Sequence, residues 1–162
     1  MAKVDIIEQS GVIAYGKNEG KLSIVLVTSK GSKRWVVPKG HIEPYLTAKD
    51  SAEKEAFEEA GIEGVVSDVA VGFFDYIKQD QENSNVYRVS LFPMKTQRLL
   101  KDWPEANLRT RQWMTIPQAI EAVNEDKLKL LLKEFGEEMA QSCHVFDHDA
   151  NSLEPVAAAI IP

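Results

Sequence analysis

Three glutamates near the middle of the chain have the spacing of a metal-binding group. Glu55, Glu58 and Glu59 are three and four residues apart, so on a helix they would share one face. Their mutual repulsion, and their position near the end of a helix, would cost about a few tenths of a kcal/mol. A bound divalent cation reverses both effects, and carboxylate oxygens are ligands that Mg²⁺ prefers. The spacing therefore favours a magnesium site over its alternative, a solvated acidic helix that binds nothing.

The residues around these glutamates predict a loop, a helix and a sharp stop. Pro38-Lys39-Gly40 ends a short apolar strand that begins at Trp35. Thr47 is suited to cap a helix that runs to residue 60, and Gly61 is suited to end it. Small residues recur at every fourth position of that helix, which lets it lie close against a sheet: Ala48, Ala52, Ala56 and Ala60.

This stretch resembles the signature of the Nudix hydrolases, in which a glycine precedes a glutamate, then an Arg-Glu pair, then a Glu-Glu pair followed by glycine. Two positions depart from it, because Leu46 replaces the first glutamate and Lys54 replaces the arginine. Asp50, one turn before Lys54, is expected to pair with that lysine and to brace the helix instead. The matching residues are Gly40, Glu55, Ala56, Glu58, Glu59, Gly61 and Ile62.

The resemblance implies a pyrophosphohydrolase that uses Mg²⁺, with Mn²⁺ as a substitute, to cleave phosphoanhydride bonds. A glutamate acts as catalytic base in this family, but its position varies between members. Glu58 is the favoured candidate, while Glu82 and Glu105 in later loops stay open. The implied catalytic residues are Glu58, Glu59 and Glu55, and the implied metal ligands are Gly40, Glu55, Glu58 and Glu59.

Basic and aromatic residues outside the signature are candidates for holding the substrate. Arg34 and Lys39 flank the short strand before the helix, and Arg109 belongs to a later strand. All three are expected to bind phosphate, because guanidinium and ammonium groups suit it. Tyr76 or Tyr87 could stack an adenine, although packing within a strand is the more ordinary role for either tyrosine alone.

Two subfamilies compete for the substrate. KDWPEANLRTRQW is similar to diphosphoinositol polyphosphate phosphohydrolases, whereas PKGHIEP is similar to asymmetric diadenosine tetraphosphate hydrolases. Asn85 stands near a position where the inositol enzymes tend to carry a basic residue. A dinucleoside polyphosphate is therefore the favoured substrate. A catalytically weak Nudix domain that binds a nucleotide or a partner is the further alternative, and Leu46 keeps it open.

Composition restricts the class of protein. The chain has 162 residues, 44% of them hydrophobic, and a net charge of −6, which disfavours nucleic-acid and anionic-membrane binding. An N-terminus without an apolar stretch and a single cysteine predict a cytoplasmic protein. Relatives are often dimers, so a homodimer is one expectation.

A zinc site is a further hypothesis, formed from Cys143, His144, Asp147 and His148.

The order of predicted elements gives the fold. Strands alternate with helices, and we expect one Nudix domain over residues 1–141, followed by a tail of unknown role over 142–162. The class is α/β, and the resemblance implies an α/β/α sandwich with a mixed β-sheet. The predicted strands are 4–15, 21–29, 35–37, 86–94 and 109–114, with one or two more over 65–77, and two further helices start near Pro117 and Asp126.

Overall fold

The computed structural model describes residues 4–80 and 83–147. The strands within these residues are β1 Ile6–Asn18, β2 Lys21–Thr28, β3 Trp35–Val36, β4 Lys39–His41, β5 Ile62–Val66, β6 Gly72–Asp80, β7 Asn83–Leu99 and β8 Arg111–Thr115. The helices are α1 Ala48–Ala60, α2 Ile116–Ala122 and α3 Asp126–Asp147. No helix in this part of the chain is long and apolar enough to cross a membrane.

Strand β1 lies at the centre of a mixed sheet. It pairs in parallel with β7, from Ile6 opposite Val86 to Tyr15 opposite Lys95. It pairs antiparallel with β2 along its second half and with β4 along its first half. The sheet continues outward through β3 and β8 on the β2 side, and through β5 and β6 on the β7 side. Both pairing directions are therefore present, as the sequence predicts.

Helices cover both faces of the sheet, which makes the fold an α/β/α sandwich. On one face α1 packs its small residues onto alternate side chains of β1 and β2. On the other face α2 and α3 pack onto the side chains in between. Because β1 is covered on both sides, three consecutive residues are fully buried, namely Val12, Ile13 and Ala14.

A close approach of two backbones places the loop before α1. A Cβ on Gly11 of β1 would lie 2.5 Å from the carbonyl oxygen of Pro38, so only glycine fits there. Val12 N–H donates to that same oxygen at 3.1 Å. The start of β4 is thereby fixed against the central strand β1, where β4 also contacts α1.

Several predicted boundaries differ from the structure. Strand β7 continues to Leu99, past the expected end at Met94, because its second half pairs with β5 while its first half pairs with β6. Helix α3 reaches Asp147 and so passes the boundary at residue 141. The division into domain and tail stays a prediction. Glu82 lies outside the described residues, and so do the side chains of the zinc hypothesis.

Candidate active site

Helix α1 carries the three glutamates and has defined ends. Thr47 Oγ1 accepts a hydrogen bond from the Asp50 N–H at 3.0 Å, which is an N-cap. Gly61 takes the left-handed conformation, with φ 62° and ψ 37°, and its N–H donates to Phe57 at 2.9 Å. The helix therefore begins and ends where its sequence predicts.

The segment after β7 wraps around the C-terminal end of α1. Trp103 Nε1 donates to the Glu59 carbonyl at 2.9 Å, and Arg111 Nη1 donates to the Ala60 carbonyl at 2.8 Å. The Arg111 guanidinium lies 4.1 Å above the Trp103 ring centre. These contacts satisfy carbonyl groups that the end of a helix leaves without partners. Arg111 thus holds the helix that carries the glutamates.

Glu59 is the buried member of the acidic group. Its Oε1 accepts from the Lys39 N–H at 3.1 Å, and its Oε2 accepts from Arg109 Nη2 at 2.9 Å. Burial raises the pKa of the Glu59 carboxyl, whereas Arg109 and the Lys39 N–H oppose that rise. Both carboxylate oxygens of Glu59 thus accept hydrogen bonds from the protein, one from β4 and one from Arg109, and these two bonds orient the side chain.

Arg109 is almost fully buried, with 8% of its side chain exposed. Besides Glu59 it donates to Glu105 Oε1 at 2.9 Å and to the Thr28 carbonyl at 3.0 Å. Its three guanidinium nitrogens therefore each contact a protein acceptor. Phosphate binding by Arg109 stays a prediction, and the structure gives this residue a second role in positioning Glu59 and Glu105.

Glu55 is the glutamate of this group that no Lys or Arg of the described residues contacts. Its carboxyl group lies against Gly40, where an added Cβ would come within 2.3 Å of the Glu55 Cδ. Burial, reinforced by Glu59 and Glu58, raises the pKa of Glu55 to about 7. Within residues 4–80 and 83–147, Glu55 forms no ion pair and no side-chain hydrogen bond. A cation beside it would remove this electrostatic cost.

Glu58 is held by a lysine. Lys54 Nζ lies 3.1 Å from Glu58 Oε1 and 3.2 Å from Oε2. The same amine lies 3.5 Å from Glu43 Oε1. In the described residues Lys54 thus pairs with Glu58 and Glu43 instead of Asp50, the partner expected from helical spacing alone.

The donor set suits a cation that prefers oxygen ligands. Glu55, Glu58, Glu59 and the Gly40 carbonyl would hold it, and Mg²⁺ fits those donors chemically. In the described part of the chain no three His, Cys, Asp or Glu side chains are already gathered closely enough to hold a metal ion. Glu58 and Glu59 instead face Lys54 and Arg109. When bound, Mg²⁺ would neutralise phosphate charge and acidify a bound water.

A groove of basic and aromatic residues lies beside the acids. The ring centres of Tyr76 and Tyr87 are 5.1 Å apart and their planes differ by 13°, which is a stacked pair. Lys39 Nζ lies 5.0 Å above the Tyr76 ring, and Tyr76 donates to Gln9 Oε1 at 2.8 Å. Since the Lys39 N–H also binds Glu59, this lysine joins the acidic and aromatic parts of the site.

Arg34 lies at the mouth of this groove. A cavity of about 440 Å³ is lined by Arg34, Asp75, Tyr76, Ile77, Val86 and Glu125. Arg34 Nη1 lies 3.7 Å from Glu125 Oε2, and 46% of the arginine side chain is exposed. Burial lowers the pKa of the Lys39 amine, and Glu59 and Glu125 oppose this. Of the predicted phosphate ligands, Arg34 lines this cavity, and Lys39 lies over the ring of Tyr76, which also lines it.

A second cavity, of about 510 Å³, lies between α1 and β5. Its ionisable lining is mostly acidic, with Asp50, Glu53 and Glu63 beside Lys54. Such a lining repels a phosphate chain. The cavity beside Arg34 has two acids as well, but each is paired with an arginine, Glu125 with Arg34 and Asp75 with Arg88.

Sequence reasoning missed four residues that shape the site. These residues are Gln9, Glu43, Trp103 and Glu125, and none of them is among the site residues that the sequence predicts. Glu43 had a signal, because it lies in the signature loop three residues before Leu46. The other three reach the site through distant parts of the chain, and no local pattern reveals such contacts.

Several known proteins are similar to this chain in sequence. The profile of the NUDIX domain matches residues 8–135. "Nudix hydrolase 12, mitochondrial" of Arabidopsis thaliana is 29% identical over 143 residues, covering 83% of this chain and 70% of that protein. "Diphosphoinositol polyphosphate phosphohydrolase 3-alpha" of Mus musculus is 30% identical over 110 residues, covering 66% of this chain and 63% of that protein.

Several curated relatives are longer than the matched region, and the chain spans 64% of the length of Arabidopsis thaliana Nudix hydrolase 13. Among solved structures, a C. elegans Ap4A hydrolase in a binary complex superposes with a TM-score of 0.64. The two chains are 20% identical over 83% of this chain and 98% of the other, so this likeness concerns the fold. With a NUDIX profile that matches most of its length, the chain belongs to the Nudix hydrolase family.

Proposed function

We propose that this chain is a Mg²⁺-dependent pyrophosphohydrolase whose substrate is a dinucleoside polyphosphate. One observation carries the proposal: Lys39 links the acidic group on α1 to a stacked tyrosine pair. Its N–H binds Glu59 at 3.1 Å, and its amine lies 5.0 Å above Tyr76. A substrate that combines a phosphate chain with an aromatic base matches both parts.

The three glutamates have different proposed tasks. Glu55 is the principal metal ligand, because it is half-buried and has no cationic partner among the described residues. Glu59 completes the metal site and is fixed by Arg109. Glu58 both binds the metal and acts as the general base, since 31% of its side chain is exposed and water can reach it. The proton leaves the attacking water for a Glu58 oxygen as the phosphoanhydride bond breaks.

The phosphate chain would lie between Arg34 and Lys39. Arg34 is exposed enough to exchange its contact with Glu125 for a phosphate oxygen. A terminal base would stack on the tyrosine pair, which favours purines without reading their identity. His41 lies 6.1 Å from the Tyr87 ring centre and forms one edge of this platform.

The second candidate substrate is a diphosphoinositol polyphosphate. The mouse relative and the KDWPEANLRTRQW segment support it. In the structure, however, Trp103, Arg109 and Arg111 from this segment hold α1 and its glutamates. These contacts serve any substrate of the family. The tyrosine platform is therefore the better discriminator, because an inositol ring has no aromatic face to stack.

Hydrolysis assays test the proposal. The purified chain should be incubated with Mg²⁺ and, separately, diadenosine tetraphosphate, a diphosphoinositol polyphosphate or ADP-ribose, and the products identified by chromatography. We expect turnover of the dinucleotide, reduced by roughly 10²–10⁴-fold in Glu58→Gln because a general base is lost. Glu53→Gln is the matched control, since Glu53 is an exposed glutamate of the same helix. Preference for the inositol substrate would overturn the substrate assignment.

A nucleotide-binding domain with little activity would behave differently. It would be stabilised by Mg²⁺ and diadenosine tetraphosphate in a thermal unfolding assay, yet would release no product. The cytoplasmic location stays a prediction from the sequence, and the homodimer stays an expectation from the family resemblance. Light scattering on the purified chain would test the second of these directly.

A further inference from the structure

The Nudix signature of this chain lacks its first acid, and the structure offers a replacement at another position. Leu46 stands where the signature has glutamate, and a leucine side chain cannot form an ion pair. Glu43, three residues earlier in the same loop, lies beside the helix instead. The inference rests on the proposed metal site but concerns how that site is supported.

Two backbone contacts turn Glu43 towards α1. The Leu46 N–H donates to the Glu43 carbonyl at 3.1 Å, which closes a turn. The Glu43 N–H donates to Ser51 Oγ at 3.0 Å, and Ser51 is a buried residue of α1. The loop is thus attached to the first turns of the helix, and the Glu43 side chain reaches Lys54.

Lys54 connects this loop acid to a glutamate of the site. Its amine nitrogen lies 3.5 Å from Glu43 Oε1, 3.1 Å from Glu58 Oε1 and 3.2 Å from Glu58 Oε2. The three side chains are 32%, 41% and 31% exposed in the order Glu43, Lys54 and Glu58. A lysine has three donors and no rigid fork, so one partner alone would leave it free to rotate.

We propose that Glu43 is a positioning residue that replaces the missing signature glutamate by acting through Lys54. Glu43 restricts the lysine, and the lysine in turn orients the Glu58 carboxylate. Half-exposed ion pairs of this kind add little to global stability. Residues that orient a metal ligand nevertheless change metal affinity or activity by roughly 10–100-fold when they are lost.

Binding of Mn²⁺, followed by electron paramagnetic resonance without substrate, tests this proposal separately from hydrolysis. We expect Glu43→Gln to weaken Mn²⁺ binding about tenfold, within the range for such orienting residues. The control Glu53→Gln changes the net charge equally but lies outside the Glu43–Lys54–Glu58 contacts, and it should bind Mn²⁺ like the parent. Urea unfolding should show nearly equal stability for all three proteins.

A double-mutant cycle separates positioning from direct ligation. In a Lys54→Met background, Glu43→Gln should have no further effect on Mn²⁺ affinity, because its route to Glu58 is gone. A further tenfold loss would mean that Glu43 binds the metal itself and would overturn the proposal. Adding Leu46→Glu to Glu43→Gln should restore affinity at least in part, since it returns an acid to the loop.

The remaining outcomes are also decisive. If Glu43→Gln binds Mn²⁺ as the parent does, Glu43 positions nothing and the proposal fails. If the parent binds no Mn²⁺, the proposal fails as well, because the acid has then not been replaced. If Mn²⁺ affinity depends on Glu43 only when Lys54 is present, but no phosphoanhydride is hydrolysed, the role of Glu43 is upheld and only the proposed function is refuted.

Discussion

Helix α1 is held by buried contacts at its C-terminal end and by half-exposed ion pairs at Lys54. At its C-terminal end, Trp103 and Arg111 bind backbone carbonyls, and the buried Arg109 binds Glu59. Along its earlier turns, Lys54 binds Glu43 and Glu58 through half-exposed ion pairs. Glu55 lies between these regions and lacks a cation partner among the described residues.

Buried and half-exposed ion pairs contribute differently to the stability of the fold and to the mobility of the site. A buried charged network costs much free energy when one partner is removed, because the others stay buried without compensation. A half-exposed pair exchanges with water and costs little. The buried end should therefore control folding, while the Lys54 side can shift as a cation and a phosphate chain enter. The predictions below contrast these two regions.

The largest effect on stability is expected at Arg109. Replacement by methionine should lower the free energy of unfolding by about 3–5 kcal/mol, because Glu59 and Glu105 lose their buried partner. Urea unfolding would measure it. Arg98→Met is the control, since Arg98 pairs with Glu63 on the surface and should cost less than about 1 kcal/mol. Equal effects of the two substitutions would contradict the contrast between the regions.

Glu55 should destabilise the metal-free protein at neutral pH. Its pKa is raised from 4.5 to about 7 in the folded chain, so the folded state retains the proton more tightly than the unfolded state. Its contribution is therefore favourable at low pH and is lost as the pH rises from about 4.5 to 7. Glu55→Gln should be about 1–3 kcal/mol more stable than the parent near pH 8 in EDTA, and the difference should fall below about 1 kcal/mol near pH 5.

Urea unfolding at the two pH values would measure this effect, with Glu53→Gln as the control for an exposed glutamate. If Glu55→Gln were less stable than the parent near pH 8, Glu55 would have an unrecognised cationic partner. The substitution should nevertheless weaken hydrolysis, because the same unpaired carboxylate is the proposed metal ligand.

A smaller effect is expected at Trp103. Phenylalanine keeps the ring beside Arg111 but removes the hydrogen bond to the Glu59 carbonyl. The loss should be about 1–2 kcal/mol, which is the cost of a carbonyl left without its partner. Chemical denaturation would detect it. A destabilisation below about 0.3 kcal/mol would indicate that water replaces the indole and that this end of α1 is more open.

The helix could be predicted from sequence because its determinants are local. Thr47, the alanine stripe and Gly61 set its ends and its buried face within one short segment. The partner of Lys54 could not be predicted in this way, because Asp50 and Glu58 are both one turn away. The choice between them depends on a loop turn that brings Glu43 alongside.

The extent of β7 and the short strand β4 also escaped prediction. Residues 95–98 are polar and resemble a connection, yet they pair with β5 and continue the sheet. Strand β4 covers only three residues, and its pairing with β1 depends on the absence of a side chain at Gly11. In both cases the partner strand decides the structure, and local sequence does not contain that information.

The most direct test of the proposed site is whether metal binding displaces a proton from Glu55. Titration calorimetry with Mg²⁺ or Mn²⁺ near pH 7, in buffers of different ionisation enthalpy, counts the protons released. With a pKa of about 7, Glu55 should release about half a proton per site in the parent and almost none in Glu55→Gln, which should also bind more weakly. Equal affinity and equal proton release in the two proteins would contradict the assignment of Glu55 as the metal ligand.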